Sequence, residues 1–231
     1  ILKMNLEINM ICPSHGLIWR KNPEQILTKY LEWADNYSEN QITILYDTMW
    51  NSTRKMAEAI ADGIENVDKN VTIKLINTSK EDKTSVLTEV FKSKAIIVGS
   101  PTVNNGYLHS IAGILEMIKG MKLKEKKAAT FGSYGWSGEA SKQIAEELKK
   151  AGFRIISDGI KVVWNALLKV TLTLESWYRE RPALLQDSDS GASAKKRQPF
   201  RAVFQSNADG GYSSKEWITT PERSFGSKRP E

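Results

Sequence analysis

Residues 42–53 have the sequence Ile-Thr-Ile-Leu-Tyr-Asp-Thr-Met-Trp-Asn-Ser-Thr, a β-rich run that leads through a short loop into a helix. The run Ile42–Tyr46 predicts a strand, because β-branched and aromatic residues are enriched in strands. From about Ser52 onward, apolar residues recur at helical spacing. A strand followed at once by a helix is the opening unit of an α/β fold. The apolar stripe of this helix consists of Met56, Ile60, Ile64 and Val67.

Strand-like and helical segments then alternate as far as residue 165. The continuously apolar run Ala95–Gly99 predicts a central parallel strand, and the alternating run Val71–Leu75 predicts an edge strand. A further strand is predicted at Ala128–Gly132, and Phe153–Ile156 and Ile160–Trp164 could supply the last one. This alternation predicts a flavodoxin-like fold, a three-layer α/β/α sandwich with a five-stranded parallel sheet in the order 2-1-3-4-5. Intervening helices are predicted at Thr84–Lys92, around Ile111–Ile118, and around Ile144–Leu148 with an end at Gly152.

The loop after the first strand, Asp47–Thr53, has the character of a phosphate site. Hydroxyl groups and free backbone N–H groups meet there at a helix N-terminus, which favours an anion. The Gly-Lys-Ser/Thr ending of a Walker loop is absent from the sequence. The alternative interpretation is that Ser52 or Thr53 only caps the helix.

The loops after the third and fourth strands complete the pattern. In Ser100–Tyr107, Pro101 stiffens the turn and the pair Asn105–Gly106 tolerates positive φ. In Gly132–Gly138, glycines allow close backbone approach to a flat ligand and aromatic residues can cover it. Each loop taken singly could be a plain turn with exposed aromatic residues. Because all three loops meet at one crevice of the predicted sheet, we interpret them together as a flavin site.

The first 40 residues form a separate stretch. A Cys-Pro-Ser-His-Gly turn, residues 12–16, precedes one helix, for which Asn22 is the predicted cap and Pro23 the predicted first residue. Cys12 is expected to be a small buried residue rather than a nucleophile. The chain starts with Ile1 and lacks the apolar region of a signal peptide, so we interpret it as beginning inside a longer protein.

Composition excludes several classes of function. The 231 residues are 40% hydrophobic with a net charge of +6, which we interpret as a solvated surface rather than a nucleic-acid footprint, since the compact basic cluster is limited to Lys195–Arg197. No apolar run approaches the roughly 20 residues that span a bilayer. The single cysteine rules out an internal disulfide and favours a reducing compartment, so a cytoplasmic location is expected.

The C-terminal stretch differs in character. Residues 169–231 are rich in Ser, Arg, Gly, Asp and Gln without sustained periodicity, and a largely disordered, atypical tail is predicted. The β-branched residues Val170, Thr171 and Thr173 disfavour a helix over 165–178. The predicted organisation is therefore a leading segment, 1–40, an α/β domain, 41–168, and the tail, 169–231.

Three of these segments resemble the flavin loops of flavo-diiron proteins, which are also called A-type flavoproteins. They are Tyr46–Ala57, Gly99–Gly106 and Phe131–Glu139. Ile11–Arg20 resembles the end of that family's metallo-β-lactamase-like diiron domain, and Asp158–Trp164 resembles its closing strand. The resemblance covers about residues 5 to 168.

The resemblance implies FMN as the cofactor. It assigns the FMN phosphate to the loop after the first strand, and the isoalloxazine ring to the other two loops. The phosphate residues would be Thr48, Met49, Trp50, Asn51, Ser52 and Thr53. Pro101, Thr102, Asn104 and Asn105 would line one side of the ring, and Ser133, Tyr134, Gly135, Trp136 and Gly138 the other.

The resemblance also implies a role in a larger protein. His15 would be the last ligand of a diiron centre in the complete parent, but one histidine cannot make such a centre in this chain. FMN would take electrons from a rubredoxin or a reductase and deliver them to the diiron centre for reduction of oxygen or nitric oxide, across a head-to-tail homodimer.

Three alternatives stay open from the sequence. One is a flavodoxin-like NAD(P)H-quinone reductase, although no nicotinamide pocket is visibly encoded. A second is a receiver-type signalling domain, which would need a phosphoacceptor aspartate where Gly99–Pro101 stands. The third is a non-functional flavodoxin-like fragment.

Overall fold

The computed structural model describes residues 7–163, which contain five helices and six strands. In this part of the chain, no helix is both long and apolar enough to cross a membrane. The elements in chain order are α1 (Glu24–Ala34), β1 (Glu39–Tyr46), α2 (Ser52–Val67), β2 (Thr72–Asn77), α3 (Lys83–Lys92), β3 (Ser93–Gly99), α4 (His109–Met121), β4 (Lys127–Tyr134), α5 (Ala140–Lys150), β5 (Arg154–Ile155) and β6 (Ile160–Val163).

The sheet is parallel and has the predicted strand order, β2-β1-β3-β4-β5. β3 is the central strand, and its residues from Ala95 onward are almost all fully buried, as its continuous apolar run predicts. β2 lies at the edge, where Leu75 is 39% exposed. The flavodoxin-like α/β fold is therefore confirmed.

Helices cover both faces of the sheet. α2 packs on one face through Met56, Ile60 and Ile64, each at most 3% exposed. Burial of each such side chain contributes about 1.5–3 kcal/mol. The opposite face is covered by α3, α4 and α5, whose apolar residues form a second buried cluster with Leu45 and Ile96. The predicted apolar stripe of α2 is thus confirmed except at its end, where Val67 is 51% exposed.

The fifth position of the sheet differs from the prediction of one strand. Two short strands, β5 and β6, both pair with β4, so the sheet has six strands in total. The chain leaves the sheet between them and returns through Gly159, which has φ +84°. A side chain could not fit at Gly159, since a Cβ there would lie 2.1 Å from the hydroxyl of Ser141. The hydroxyls of Ser141 and Thr130 of β4 lie 2.9 Å apart, so the segment between β5 and β6 lies beside a buried hydroxyl pair.

The segment before the sheet also corrects two expectations. α1 begins at Glu24, with Pro23 in the cap position and Asn22 at φ +47°, so Asn22 does not cap the helix. Cys12 is exposed rather than buried. It lies in a loop closed by an antiparallel bridge between Ile11 and Trp19, and none of residues 7–25 is buried.

A buried lysine ties this segment to the sheet. Lys126, 7% exposed, lies just before β4. Its Nζ donates to the carbonyl oxygens of Tyr37 at 2.9 Å, Phe91 at 2.8 Å and Ser93 at 2.7 Å. Burial lowers the pKa of Lys126 to about 8. The Tyr37 and Phe91 rings stack beside it, with centroids 5.8 Å apart. The connection from α1 into β1 is therefore fixed at the N-terminal edge of the sheet.

The predicted boundaries of the three stretches remain predictions. The tail 169–231 and the helix considered over 165–178 lie outside the described residues.

Candidate functional site

The predicted flavin loops meet at the C-terminal edge of the sheet. They follow β1, β3 and β4, which are neighbouring parallel strands. The backbone N–H of Thr102 donates to the carbonyl of Ser133 at 2.9 Å, which joins the second loop to the third. The hydroxyls of Thr53 and Ser133 lie 3.0 Å apart, which joins the first loop to the third. The structure therefore brings all three loops to one place.

The N-terminus of α2 is open to an anion. Its cap residue, Asn51, has φ +63° and makes no side-chain capping hydrogen bond, and no acidic residue lies in the first turn. The neighbouring α3 is different, because Asp82 caps it by accepting from the N–H of Ser85 at 3.0 Å. An uncapped N-terminus leaves orphan N–H donors at the positive end of the helix dipole.

A buried hydroxyl precedes this helix by a few residues, at Thr48, three positions before the cap residue Asn51. Oγ1 of Thr48 is buried and has no hydrogen-bond partner within residues 7–163. A buried polar atom without a partner costs free energy, and in native structures it commonly marks a ligand or water position. The loop Asp47–Thr53 contains no cationic residue, and the guanidinium of the next residue, Arg54, contacts Glu58 at 2.8 Å. The donors in the first loop are thus neutral, and they fit a phosphate group.

The predicted phosphate residues differ in exposure. Trp50 is 85% exposed and Met49 is 54% exposed. Ser52 is half-buried, whereas Thr53 is fully buried against Ser133. The side chain of Thr53 therefore holds two loops together, and its backbone N–H belongs to the first turn of α2.

The second loop is a tight turn. Val103 and Gly106 exchange backbone hydrogen bonds of 3.0 and 2.8 Å, and Asn104 and Asn105 between them have φ of +49° and +56°. Two central residues with positive φ define a type I′ turn. Asn105 thus takes the positive φ that the pair Asn105–Gly106 tolerates, Asn104 shares it, and Gly106 closes the turn. Pro101 and Thr102 are half-buried at the base of this loop.

The third loop requires its glycines. A Cβ on Gly132 would lie 2.4 Å from the carbonyl oxygen of Ser100. Gly138 has φ +76°, and a Cβ there would meet the ring of Tyr134 at 3.1 Å. Trp136 is 87% exposed, and the neighbouring Gly135 and Tyr134 are half-buried. The loop thus presents backbone and aromatic surface, which suits a flat ligand.

Asp47 was not among the predicted cofactor residues, yet it is the most connected side chain of the first loop. Its carboxylate is 6% exposed and accepts hydrogen bonds from the N–H of Thr48 and from the hydroxyl of Ser110. The sequence contained one signal, a charged residue directly after an apolar strand. Its partner Ser110 lies 63 positions away, and local patterns do not reveal such a contact.

His15 lies at the exposed tip of the loop closed by Ile11 and Trp19. Among the described residues, no group of three or more His, Cys, Asp or Glu side chains could hold a metal ion. A role for His15 as a ligand in a complete parent therefore stays a prediction.

The sequence profile of the flavodoxin family matches residues 44–177. This chain therefore belongs to the flavodoxin family, whose function is flavin-dependent redox chemistry. The match covers more than half of the 231 residues.

Comparison with individual proteins identifies the branch. The chain is 52% identical over 165 residues to an anaerobic nitric oxide reductase flavorubredoxin of Aliivibrio fischeri, over 71% of this chain and 33% of that relative. It resembles the rubredoxin:oxygen oxidoreductase of Desulfovibrio gigas with a TM-score of 0.67 and 35% identity, over 78% of this chain and 46% of that one. The flavodiiron protein of Giardia intestinalis gives a TM-score of 0.68 and 26% identity, over 80% and 47%.

These relatives place the chain in one branch of its family: it is a flavodoxin-like domain of the flavo-diiron type. It spans about a third of the length of the curated relatives that it matches.

Proposed function

We propose that this chain binds FMN between the three loops and transfers electrons, and that in the complete protein it delivers them to a diiron centre that reduces nitric oxide or oxygen. The observation that carries the first part is the pairing of an uncapped α2 N-terminus with the buried, unpartnered hydroxyl of Thr48. The bound flavin supplies the ability to take up and release electrons one or two at a time.

The phosphate would be held by the first loop. The hydroxyls of Thr48 and Ser52 and the backbone N–H groups from Met49 to Thr53 would donate to it, aided by the dipole of α2. Neutral donors suffice, because each donor to a charged phosphate forms a strengthened hydrogen bond. Asn51 contributes its αL backbone conformation, which ends the loop and starts the helix.

The isoalloxazine ring would lie between the other two loops. Pro101, Thr102 and the Asn104–Asn105 turn would line one side, and the backbone of Ser133, Gly135 and Gly138 the other. Trp50, Tyr134 and Trp136 would cover apolar ring surface; Trp50 and Trp136 are the two most exposed large hydrophobic side chains among residues 7–163. Stacking on a ring would bury their surface and stabilise the complex.

The role in the complete protein rests on the relatives. One is described as an anaerobic nitric oxide reductase flavorubredoxin and another as a rubredoxin:oxygen oxidoreductase. By analogy, a rubredoxin or a reductase would reduce the flavin here, and the flavin of one subunit would face the diiron centre of another in a head-to-tail homodimer. His15 would complete that centre with ligands from an upstream domain. The exposed thiol of Cys12 is compatible with the reducing conditions of the cytoplasm.

The domain organisation proposed with this function keeps the boundaries given above. Residues 1–40 would be the end of the diiron domain with its connecting helix, 41–168 the FMN domain, and 169–231 an atypical tail.

The test of FMN binding uses the 231-residue chain, its visible absorption spectrum and chromatography of any flavin released on denaturation. FMN is expected, and the double variant Ser52→Ala/Thr53→Ala is expected to lose it. Thr84→Ala/Ser85→Ala is the matched control, because it removes two hydroxyls from the first turn of α3, which Asp82 already caps. Folded chain that takes up no added FMN would refute the proposal.

Electron transfer is tested separately on the FMN-loaded chain. After photoreduction under argon, the chain should reduce a one-electron acceptor such as cytochrome c, followed by absorbance. A flavin-loaded chain that cannot be reoxidised by any such acceptor would limit the function to flavin binding.

A further inference from the structure

Asp47 connects three elements at the C-terminal edge of the sheet. One carboxylate oxygen accepts from the N–H of Thr48 at 2.8 Å, and the other accepts from the hydroxyl of Ser110 in the first turn of α4. The Ser110 oxygen accepts in turn from the hydroxyl of Thr78, which follows β2, at 3.1 Å. The carboxylate thus ties the first loop to α4, the helix that follows the second loop.

The carboxylate is buried without a cation. It is 6% exposed, and within residues 7–163 its hydrogen-bond donors are the neutral groups of Thr48 and Ser110. A buried charge is costly unless hydrogen bonds and dipoles compensate it. The N-terminal turn of α4 supplies such a dipole. Asp47 thus accepts from a side chain in the first turn of α4, while the N-terminus of α2 has neither a side-chain cap nor an acidic residue in its first turn.

We infer that Asp47 is a positioning residue that fixes the first loop for a phosphate and thereby sets the preference for FMN over riboflavin. By engaging the N–H of Thr48, the carboxylate fixes the orientation of that peptide and keeps the Thr48 side chain beside the open end of α2. This inference rests on the proposed function, since it concerns how the same site selects the phosphorylated form of the flavin.

The charge of Asp47 and its hydrogen bonding have opposite effects on the affinity for a phosphate. As a negative charge near the loop, Asp47 would weaken phosphate binding, whereas as a hydrogen-bond acceptor it would strengthen binding by ordering Thr48. Loss of a hydrogen bond to a charged group corresponds to about a tenfold change in an equilibrium constant. Two such bonds converge on Asp47, so ordering is expected to dominate.

The experiment measures dissociation constants of the apo 231-residue chain for FMN and for riboflavin by flavin fluorescence. Asp47→Ala should lower the affinity for FMN about tenfold or more while changing that for riboflavin less than about threefold. Asp47→Asn keeps an acceptor for the Thr48 N–H and should largely restore FMN affinity. Ser110→Ala removes one of the two hydrogen bonds to Asp47, so its FMN affinity should lie between those of Asp47→Ala and Asp47→Asn. If Asp47→Ala does not fold, Ser110→Ala provides the test.

Ser93→Ala is the matched control. Ser93 is a fully buried serine with a 2.7 Å contact to Thr43, at the opposite end of the strands. It should lower stability without changing the ratio of the two dissociation constants.

Equal loss of FMN and riboflavin affinity in Asp47→Ala and Ser110→Ala would overturn the inference, since it would show a general structural role. Tighter FMN binding by Asp47→Asn than by the unaltered chain would also overturn it, since repulsion would then dominate. If the unaltered chain binds neither flavin, the proposed function itself fails, which is a different result.

Discussion

The two ends of the parallel sheet differ in how completely their polar groups are satisfied. At the N-terminal edge, Lys126 donates to three carbonyl oxygens, and Thr43 and Ser93 share a buried hydrogen bond. At the C-terminal edge, Oγ1 of Thr48 and Oε2 of Glu139 are buried without partners in the described part of the chain. Trp50 and Trp136 are also strongly exposed at that edge.

This difference separates stability from function. Buried polar groups that are fully paired stabilise the fold, whereas buried groups without partners cost free energy until a ligand arrives. We therefore expect changes at the N-terminal edge to alter the free energy of unfolding alone, and changes at the C-terminal edge to alter flavin affinity.

The largest effect is expected for Lys126→Met. The variant keeps an apolar stem of similar length but leaves the carbonyl oxygens of Tyr37, Phe91 and Ser93 without their donor. The free energy of unfolding should fall by about 3 kcal/mol, measured by urea denaturation followed by circular dichroism. FMN affinity of the folded protein should not change.

Lys124→Met is the control, since Lys124 is exposed two residues earlier. It should change stability by no more than about 0.5 kcal/mol. A loss in Lys126→Met no larger than in this control would show that the three hydrogen bonds of Lys126 contribute nothing to stability.

The next effect concerns pH. Burial lowers the pKa of Lys126 from the ordinary 10.5 to about 8. Between these values the unfolded chain holds a proton that the folded chain has released, so stability should rise with pH across this window and be independent of this group below it. The slope is at most about 1.4 kcal/mol per pH unit for one proton.

The measurement is the difference in unfolding free energy between the unaltered chain and Lys126→Met at several pH values from 7 to 11, which cancels the titration of other groups. A difference that falls as pH rises through the window would contradict the prediction. It would mean that the three carbonyl oxygens hold the charged form more strongly than burial disfavours it.

Much of the fold, and the edge of the sheet at which the loops meet, could be predicted from the sequence. The periods of the apolar residues identified the four longer strands, the four helices from α2 to α5 and the edge position of β2, because burial on one or both faces dictates those patterns. The same strands identified which loops share an edge. That step needs only parallel topology and no knowledge of side-chain contacts.

The features that the sequence did not predict depend mainly on contacts between residues that are distant in the chain. The break between β5 and β6 lies beside the Thr130–Ser141 hydroxyl pair near Gly159, and the buried carboxylate of Asp47 accepts from Ser110. Neither pair is close enough in sequence to leave a periodic signal. The exposure of Cys12 was mispredicted for a different reason: composition indicates that free cysteines are usually buried, but a loop without a core cannot bury one.

A third prediction tests the close approach of the second and third loops. In Gly132→Ala, the new Cβ would lie 2.4 Å from the carbonyl oxygen of Ser100. Because that atom is backbone, β3 and β4 must separate, which should cost about 2 kcal/mol of stability and weaken FMN binding. Gly63→Ala is the matched control within α2, where a Cβ would meet nothing within 4 Å.

Gly63→Ala should instead raise stability by about 0.5–1 kcal/mol, since alanine favours a helix interior over glycine. Thermal denaturation and FMN titration of both variants check the pair. Equal stability of the two variants would show that the β3–β4 approach tolerates a methyl group.

The smallest change in stability, and the sharpest comparison of the two edges, is expected from two threonine-to-valine variants of equal shape. Thr48→Val removes a hydroxyl that is buried without a partner in the described residues, so stability of the apo chain should be unchanged or raised by up to about 1 kcal/mol. FMN affinity should fall about tenfold, since Thr48 is a proposed donor to the phosphate. Thr43→Val removes a hydroxyl that contacts Ser93 at 2.7 Å, so stability should fall by about 1 kcal/mol with FMN affinity unchanged.

Urea denaturation of the apo chain and FMN titration measure both quantities for both variants. Thr48→Val should lower FMN affinity without lowering stability, and Thr43→Val should lower stability without lowering FMN affinity. This opposite pattern matters more than the size of either change, because a general defect in folding would lower stability and affinity together. If Thr48→Val destabilised the apo chain as much as Thr43→Val and left FMN affinity intact, the Thr48 hydroxyl would be an ordinary structural group. The contrast between a paired edge and a ligand-binding edge would then fail at the residue that carries it.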